Sequence, residues 1–173
     1  RLCERFMREP EHILMKKEDL TLQCIQQYFV AVLNDDMKYK LLKDLFSAIS
    51  VSKCIIYCNS VNRVMHLYEN MMRDGFSVCC IHSNMGKPER NKVFTQFRSG
   101  DTRVLISSDI TARGIDVQQV STVINFDLTR NVHTYLHRIG RGGRWGRKGN
   151  AINFITRQDV PDIRKIENYY QIE

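Results

Sequence analysis

Long apolar segments are missing from this sequence of 173 residues. No apolar run approaches the ~20 residues that a helix needs to span a bilayer, and no signal-peptide pattern opens the chain. We therefore expect no membrane partner. Low-complexity segments and internal repeats are also absent, which excludes a repeat architecture.

Several signatures of chemistry are missing as well. The sequence contains no G-x-x-x-x-G-K-[ST] phosphate loop, and no acidic pair ends an apolar strand where it could hold Mg²⁺. No Ser-His-Asp or Cys-His grouping and no catalytic carboxylate pair can be argued from spacing. The six cysteines show no metal-ligand spacing, so we predict reduced, intracellular, structural thiols and no metal site.

The composition is that of a globular domain, with 43% apolar and 26% charged residues. A chain of this length forms one domain with room for a core. The net charge of +7 and the pI near 9.2 favour an anionic partner, nucleic acid before membrane. Because Arg1 is not a natural start, we expect the chain to be a piece of a longer protein.

Strand and helix patterns alternate along the chain. Short apolar runs predict strands, and Asp35 or Asp36, Ser60, Pro88 and Asp159 mark helix starts. The predicted strands span 26–32, 53–57, 77–81, 103–106, 121–126 and 151–155. This alternation predicts an α/β fold with a mostly parallel sheet and helices on both faces.

Three loops that follow predicted strands carry the unusual residues. They are 58–60, 107–116 and the arginine- and glycine-rich stretch 135–147, which contains no acidic residue. Loops at the carboxyl ends of parallel strands form sites, and hydroxyls, amides and arginines there contact phosphate groups. If the arginines serve a nucleotide, another domain must hold most of it, as in an arginine-finger arrangement.

Four segments carry a family resemblance, namely 8–22, CIIYCNS at 54–60, RVLISSDITARGIDV at 103–117 and HRIGRGGRWG at 137–146. With them the sequence resembles the C-terminal RecA-like domain of DEAD-box RNA helicases, within the group of translation initiation factor 4A and its exon-junction-complex relative. The resemblance implies a RecA-like three-layer sandwich. It divides the chain into the end of a preceding domain with its linker at 1–22 and the RecA-like domain at 23–173.

The resemblance also implies roles in ATP hydrolysis. Arg141 and Arg144 match the arginine fingers directed at the γ-phosphate, so both are expected to be catalytic and cofactor-binding. His137 matches a residue that links the ATP and RNA sites, and it is grouped with the catalytic residues. Gly114 and Asp116 match positions that meet the nucleotide ribose and its surroundings.

A second set of residues is implied for RNA. Asn59, Arg90, Ser108, Asp109 and Arg113 fall where the family contacts or organises the RNA backbone. The family carries glutamine where this chain has Lys87, which puts the contact there in question. The resemblance favours a structural role for Arg138, and His82 matches a position near the RNA groove.

The implied cofactors are ATP and Mg²⁺, with the metal held mainly by an N-terminal RecA-like domain. The implied partners are that domain, single-stranded or weakly paired RNA and a scaffold protein of the initiation-factor-4G type. A monomer in the cytoplasm, or in the nucleus, is expected. We therefore predict half of an ATP-dependent RNA helicase that is inactive in isolation. The alternatives are an ATP-gated RNA clamp or a binding module without unwinding and, more remotely, a DNA helicase.

Overall fold

The computed structural model describes residues 25–48, 52–109, 120–140 and 149–170. The predicted linker at 1–22 lies outside these ranges, so the predicted domain boundary stays a prediction. None of the helices in these ranges combines the length and apolar character that a bilayer-crossing segment requires.

The described ranges contain six strands and five α-helices. The strands are β1 (Ile25–Ala31), β2 (Cys54–Cys58), β3 (Val78–Ile81), β4 (Val104–Ser108), β5 (Thr122–Asn125) and β6 (Gly149–Ile155). The helices are α1 (Asp35–Ala48), α2 (Val61–Arg73), α3 (Lys87–Ser99), α4 (Val132–Ile139) and α5 (Val160–Tyr170). A short 3-10 helix, Arg157–Asp159, precedes α5.

The strands form one sheet in the order β1-β6-β5-β2-β4-β3, and every described pairing is parallel. The predicted α/β fold with a parallel sheet is confirmed. Central strands β2, β4 and β5 are buried along their whole length, as near-continuous apolar runs predict.

Helices cover both faces of the sheet. Alternate residues of β2 enter different clusters of the core, because side chains along a strand point to opposite faces. Ile56 packs in the cluster that includes residues of α1 and α2, whereas Ile55 packs with Phe97 of α3. Residues of α4 and α5 pack with β6 in a third cluster. The result is the three-layer sandwich that the resemblance implied.

The helix boundaries follow capping chemistry. Ser60 caps α2 as predicted, since its side-chain oxygen accepts a hydrogen bond from the Arg63 backbone N–H. Gly100 ends α3 in the left-handed conformation at φ 91°, which glycine adopts without strain. The prediction that Pro88 is the first residue of α3 was wrong by one residue. The helix begins at Lys87, where Glu89 Oε2 accepts from the Gly86 N–H at 3.0 Å.

Candidate functional site

The carboxyl ends of β5, β2 and β4 lie side by side. In the register of the sheet, Cys58 pairs with Ser108 and Tyr57 pairs with Asn125. The loops that the sequence analysis singled out after β2 and β4 therefore begin next to each other. The segment between β5 and β6 starts at the same edge. The prediction that these three loops begin at one edge of the sheet is therefore confirmed.

One arginine joins these strand ends. Arg138, in the last turn of α4, is completely buried. Its Nη1 donates to Asn125 Oδ1 at 3.1 Å and to the Asp127 carbonyl oxygen at 2.7 Å. Its Nη2 donates to Asn59 Oδ1 at 2.7 Å, and its Nε donates to Asp109 Oδ1 at 2.5 Å. We call Arg138 and these four partners the Arg138 network.

The network satisfies the charge and the hydrogen bonds of the buried guanidinium. A buried charge is costly unless it is paired and hydrogen-bonded, and here the Asp109 carboxylate supplies the opposite charge. The Tyr57 ring lies 5.2 Å from the guanidinium carbon, which adds a cation–π contact. The geometry agrees with the structural role that the resemblance favoured for Arg138.

A second buried ion cluster adjoins the network at Asp127. Its carboxylate accepts from Lys38 at 3.2 Å, from Arg63 Nε and Nη2 at 2.6 and 2.5 Å, and from the Asn59 backbone N–H at 3.1 Å. These contacts raise the pKa of Arg63, first through its hydrogen bond to Asp127. The sequence analysis assigned Asp127 no role. Its position directly after the predicted strand 121–126 was the available signal.

Two of the predicted RNA-contacting side chains are engaged within the protein. Asn59 uses its Oδ1 for Arg138 and donates from Nδ2 to the Leu128 carbonyl oxygen at 2.8 Å. Asp109 is bound by Arg138 and keeps 35% of its side chain exposed. Ser108 lies buried at the end of β4. These positions favour organising the loops, and direct RNA contact by the three residues stays a prediction.

Arg90 lies in α3, and His82 lies directly after β3, the strand next to β4 in the sheet. His82 follows β3 directly, opposite the end of β4, because Ile81 pairs with Ser107. Arg90 Nε and His82 Nδ1 are buried nitrogens without a hydrogen-bond partner in the described part of the chain. A buried polar atom without a partner is costly. The guanidinium of Arg90 suits a phosphate group, whereas Nδ1 of a neutral histidine can equally be an acceptor.

His137 is exposed in the last turn of α4, next to Arg138. The predicted residues Arg113, Gly114, Asp116, Arg141 and Arg144 lie outside the described residues. In the sequence, 110–119 follows Asp109 directly and 141–148 follows Gly140 directly, two residues after Arg138.

The four described cysteines are free thiols. Burial raises the pKa of Cys54, Cys58 and Cys79, and it raises the pKa of Cys80 to about 11. A protonated thiol is neither a good nucleophile nor a metal ligand. In the described ranges no group of three His, Cys, Asp or Glu residues could hold a metal ion.

Residues 37–146 match the model of the helicase conserved C-terminal domain. The chain belongs to this family. The match includes β2 with Asn59, β4 with Asp109 and α4 with Arg138, so the helicase C-terminal domain contains the whole Arg138 network.

Relatives of the domain point to one branch of helicases. Eukaryotic initiation factor 4A of Caenorhabditis elegans is 50% identical over 174 residues, covering 99% of this chain and 43% of the relative. ATP-dependent RNA helicase eIF4A of Saccharomyces cerevisiae (strain YJM789) is 49% identical over 169 residues, covering 98% and 43%. The helicase domain thus spans less than half the length of these curated relatives.

Solved structures of DEAD-box proteins share the fold of this chain. Saccharomyces cerevisiae Dbp5 bound to RNA and ADP BeF3 superposes with a TM-score of 0.86 at 28% identity, covering 99% of this chain and 46% of that chain. The C-terminal domain of the DEAD-box protein Dbp5 superposes with a TM-score of 0.81 at 32% identity, covering 88% and 89%. The predicted resemblance to a DEAD-box C-terminal RecA-like domain, near initiation factor 4A, is confirmed.

Proposed function

We propose that this domain is the C-terminal half of an ATP-dependent RNA helicase and supplies arginine fingers to a site shared with an N-terminal RecA-like domain. The observation that carries the proposal is the Arg138 network at the joined ends of β2, β4 and β5. The residues assigned to the nucleotide follow this network in the chain, Gly114 and Asp116 after Asp109, and Arg141 and Arg144 after Arg138.

The chemistry of these residues fits a nucleotide triphosphate. ATP, when bound, supplies the phosphoanhydride bond that is hydrolysed. Arg141 and Arg144 would stabilise the negative charge that develops on the transferring phosphoryl group, while Gly114 and Asp116 would line the ribose side. His137 would relate the arginine segment to the RNA side. Mg²⁺ and the attacking water are assigned to the N-terminal domain.

The RNA side of the proposal is supported by the cations and polar groups at the same edge. Arg90 and Arg113 would contact phosphate groups, and Lys87, at the start of α3, would add a third cation. Asn59, Ser108 and Asp109 would hold the loops in position for these contacts. Since the set contains phosphate-seeking groups, we expect RNA binding largely independent of sequence.

A protein partner is also proposed. Solved Dbp5 structures include one bound to Gle1. By analogy we propose that the full-length protein binds a scaffold protein of the initiation-factor-4G type. We also propose that it works as a monomer in the cytoplasm, with the nucleus as the alternative.

The decisive experiment uses the full-length protein with Arg141→Ala or Arg144→Ala. We expect ATP hydrolysis to fall by about 10³–10⁵, because a finger acts mainly on the transition state. ATP binding should change little, which a fluorescent-nucleotide titration measures. Arg164→Ala, at an exposed position of α5, is the matched control and should leave both quantities unchanged.

Equal losses of binding and hydrolysis would contradict the finger role. The isolated 173-residue chain should have negligible ATPase activity, because it contains only half of the shared site. Robust turnover by the pure chain would contradict the split-site proposal. Full-length protein that binds ATP and RNA without turnover would favour the clamp instead.

A further inference from the structure

A line of hydrogen bonds connects the Arg138 network to β1, at one end of the described sheet. Asn125 Nδ2 donates to Asn153 Oδ1 at 2.8 Å, and the two residues are a register pair between β5 and β6. Asn153 Nδ2 donates to the Tyr135 hydroxyl oxygen at 3.2 Å, and this hydroxyl donates to Gln27 Oε1 in β1 at 2.7 Å. We call Asn125, Asn153, Tyr135 and Gln27 the amide relay.

The hydrogen bonds of the amide relay can run in one direction only. Arg138 has donors and no acceptor, so Asn125 must turn its Oδ1 toward Nη1, at 3.1 Å, and its Nδ2 toward Asn153. At the other end the Tyr28 backbone carbonyl can only accept, and it binds Asn153 Nδ2 at 3.1 Å. Reversing either amide would place two donors or two acceptors against each other. The guanidinium and the backbone of β1 therefore fix the orientation of both amides.

Helix α4 is attached to the sheet at two points on one side. Tyr135 and Arg138 are three residues apart and completely buried, so they lie on the same face of the helix. Through Tyr135 the helix is bonded to β6 and β1, and through Arg138 it is bonded to β5 and to the residues after β2 and β4. Burial raises the pKa of Tyr135, so the phenol keeps the proton that it donates. Two attachment points restrict both the rotation and the tilt of a helix.

The amide relay contributes precision of placement more than stability. Asn125 and Asn153 are completely buried, and an apolar pair at these positions would need no hydrogen bonds at all. The two amides instead need partners for their donors and acceptors, and Arg138, Tyr135 and the backbone of β1 supply them. A fully satisfied buried polar network rigidifies the core and favours one arrangement of its elements.

We propose that the amide relay positions α4, and with it the Arg138 guanidinium, for ATP hydrolysis. The expected fingers Arg141 and Arg144 follow this helix in the sequence, so the inference rests on the proposed function. The residues of the relay are positioning residues, which act through Arg138 and not on the nucleotide. Gln27 is two strands away from β5, about 10 Å across the sheet, and its loss should nevertheless lower the rate of hydrolysis.

The relay itself is tested by NMR on the ¹⁵N-labelled chain. Gln27→Leu removes the last acceptor, and we expect it to shift the side-chain amide signals of Asn153 and Asn125. Gln26→Leu is the matched control, because Gln26 is the neighbouring glutamine and accepts from the Tyr28 hydroxyl at 3.0 Å, outside the relay. It should leave both signals unmoved. Equal shifts in the two variants, or none with Gln27→Leu, would overturn the relay.

The positioning role is tested by RNA-stimulated ATP hydrolysis of the full-length protein. Tyr135→Phe keeps the ring and removes the hydroxyl. This variant and Gln27→Leu should each lower kcat about 3- to 10-fold and change the KM for ATP less than about twofold, because placement acts mainly on the transition state. Gln27→Glu keeps an acceptor for the hydroxyl and should retain the wild-type kcat. The double variant should be no slower than the slower single variant, since both changes break the same hydrogen bond.

The outcomes separate this inference from the proposed function. An unchanged kcat in Tyr135→Phe and Gln27→Leu, with the loss in Arg141→Ala intact, would overturn the positioning role alone. Losses that multiply in the double variant would make the two residues independent and would overturn it as well. An equal loss in Gln26→Leu would reduce the effect to a general disturbance of β1. A full-length wild type without ATP turnover would contradict the proposed function, and the positioning role with it.

Discussion

At the scale of single residues, the site depends on the completely buried side chain of Arg138. Arg138 is buried and connects Asn59, Asp109, Asn125 and the Asp127 carbonyl. The guanidinium has the number and the planar arrangement of donors needed for these partners, which an ammonium group lacks. Its removal would leave several buried polar groups without hydrogen bonds.

We expect Arg138→Ala to lower the free energy of unfolding by about 3–5 kcal/mol, because it leaves the partners of a buried ion pair uncompensated. Urea unfolding followed by circular dichroism measures the change. Arg130→Ala removes an arginine whose side chain is 91% exposed, and it should change stability by less than about 0.5 kcal/mol. Similar losses in the two variants would contradict the structural role of Arg138.

Asp127 is a second buried charge that adjoins the Arg138 network. Its side chain is only 7% exposed and compensates Lys38 and Arg63. Asp127→Asn should cost about 3 kcal/mol in the same assay, since it removes the charge that balances a buried lysine. Asp44→Asn is the control and should lie within about 0.5 kcal/mol of the wild type. A loss below about 1 kcal/mol for Asp127→Asn would mean that Asp35 alone neutralises both cations.

The residue pattern identified the motif but not the division of roles within it, and only the family resemblance favoured a structural role for Arg138. Periodicity and loop composition place Asn59, Asp109 and Arg138 near one sheet edge, and the sheet does bring them together. No pattern distinguishes an arginine that points inward from one that points to a ligand, because burial depends on packing between distant segments. Asp127 was underestimated for the same reason, since its cations come from residues 38 and 63.

At the scale of secondary-structure elements, α1 is joined to the turn after α2 by a small polar cluster. The Tyr39 hydroxyl donates to Asp74 Oδ2 at 2.9 Å, and Lys43 contacts the same oxygen at 3.1 Å. Burial, followed by the hydrogen bond to Asp74, raises the pKa of Tyr39 to about 12. The cluster thus favours the neutral phenol.

This contact predicts a stability effect at alkaline pH. Because the folded-state pKa of Tyr39 is above its ordinary value of 10.0, the stabilisation is complete below pH 10 and is lost as the pH rises through about 12. The difference between the ultraviolet tyrosinate titrations of wild type and Tyr39→Phe isolates this residue. Asp74→Asn should lower the pKa of Tyr39 toward 10, and an unchanged pKa would rule out the hydrogen bond as a cause.

The elements themselves were largely predictable. The predicted helix start at Ser60 matches α2, and the predicted strands differ from the observed ones by up to two residues at either end. The start of α3 was misplaced because proline is permitted at several positions of a first turn, and the Glu89–Gly86 contact decides which one it takes. The position of proline within a first turn therefore depends on hydrogen-bond geometry, which the composition of the segment does not reveal.

At the scale of the whole molecule, net charge is the property that a binding experiment tests most directly. The chain carries a net +7, and the predicted RNA side includes Lys87, Arg90 and Arg113. The three phosphate-contacting cations of this domain should contribute about −2 to the slope of log affinity against log salt for single-stranded RNA. This contribution alone lowers the affinity roughly 20-fold between about 50 and about 200 mM salt.

Fluorescence anisotropy with a labelled uridine oligonucleotide measures this slope in the full-length protein. Arg90→Ala should reduce its magnitude by about 0.7, the contribution of one cation. Arg164→Ala, at an exposed position of α5, should leave the slope unchanged. An affinity that does not depend on salt would contradict phosphate-led binding and direct attention to protein partners.

The sheet order has a consequence for synthesis on the ribosome. Among the described strands β1 comes earliest in the chain and pairs only with β6, which comes latest, so more than a hundred residues separate the two partners. The backbone groups of 25–31 must therefore hydrogen-bond to water, or be shielded by a chaperone, until 149–155 has left the ribosome. The pairing of β1 in this sheet can form only after β6 has been made.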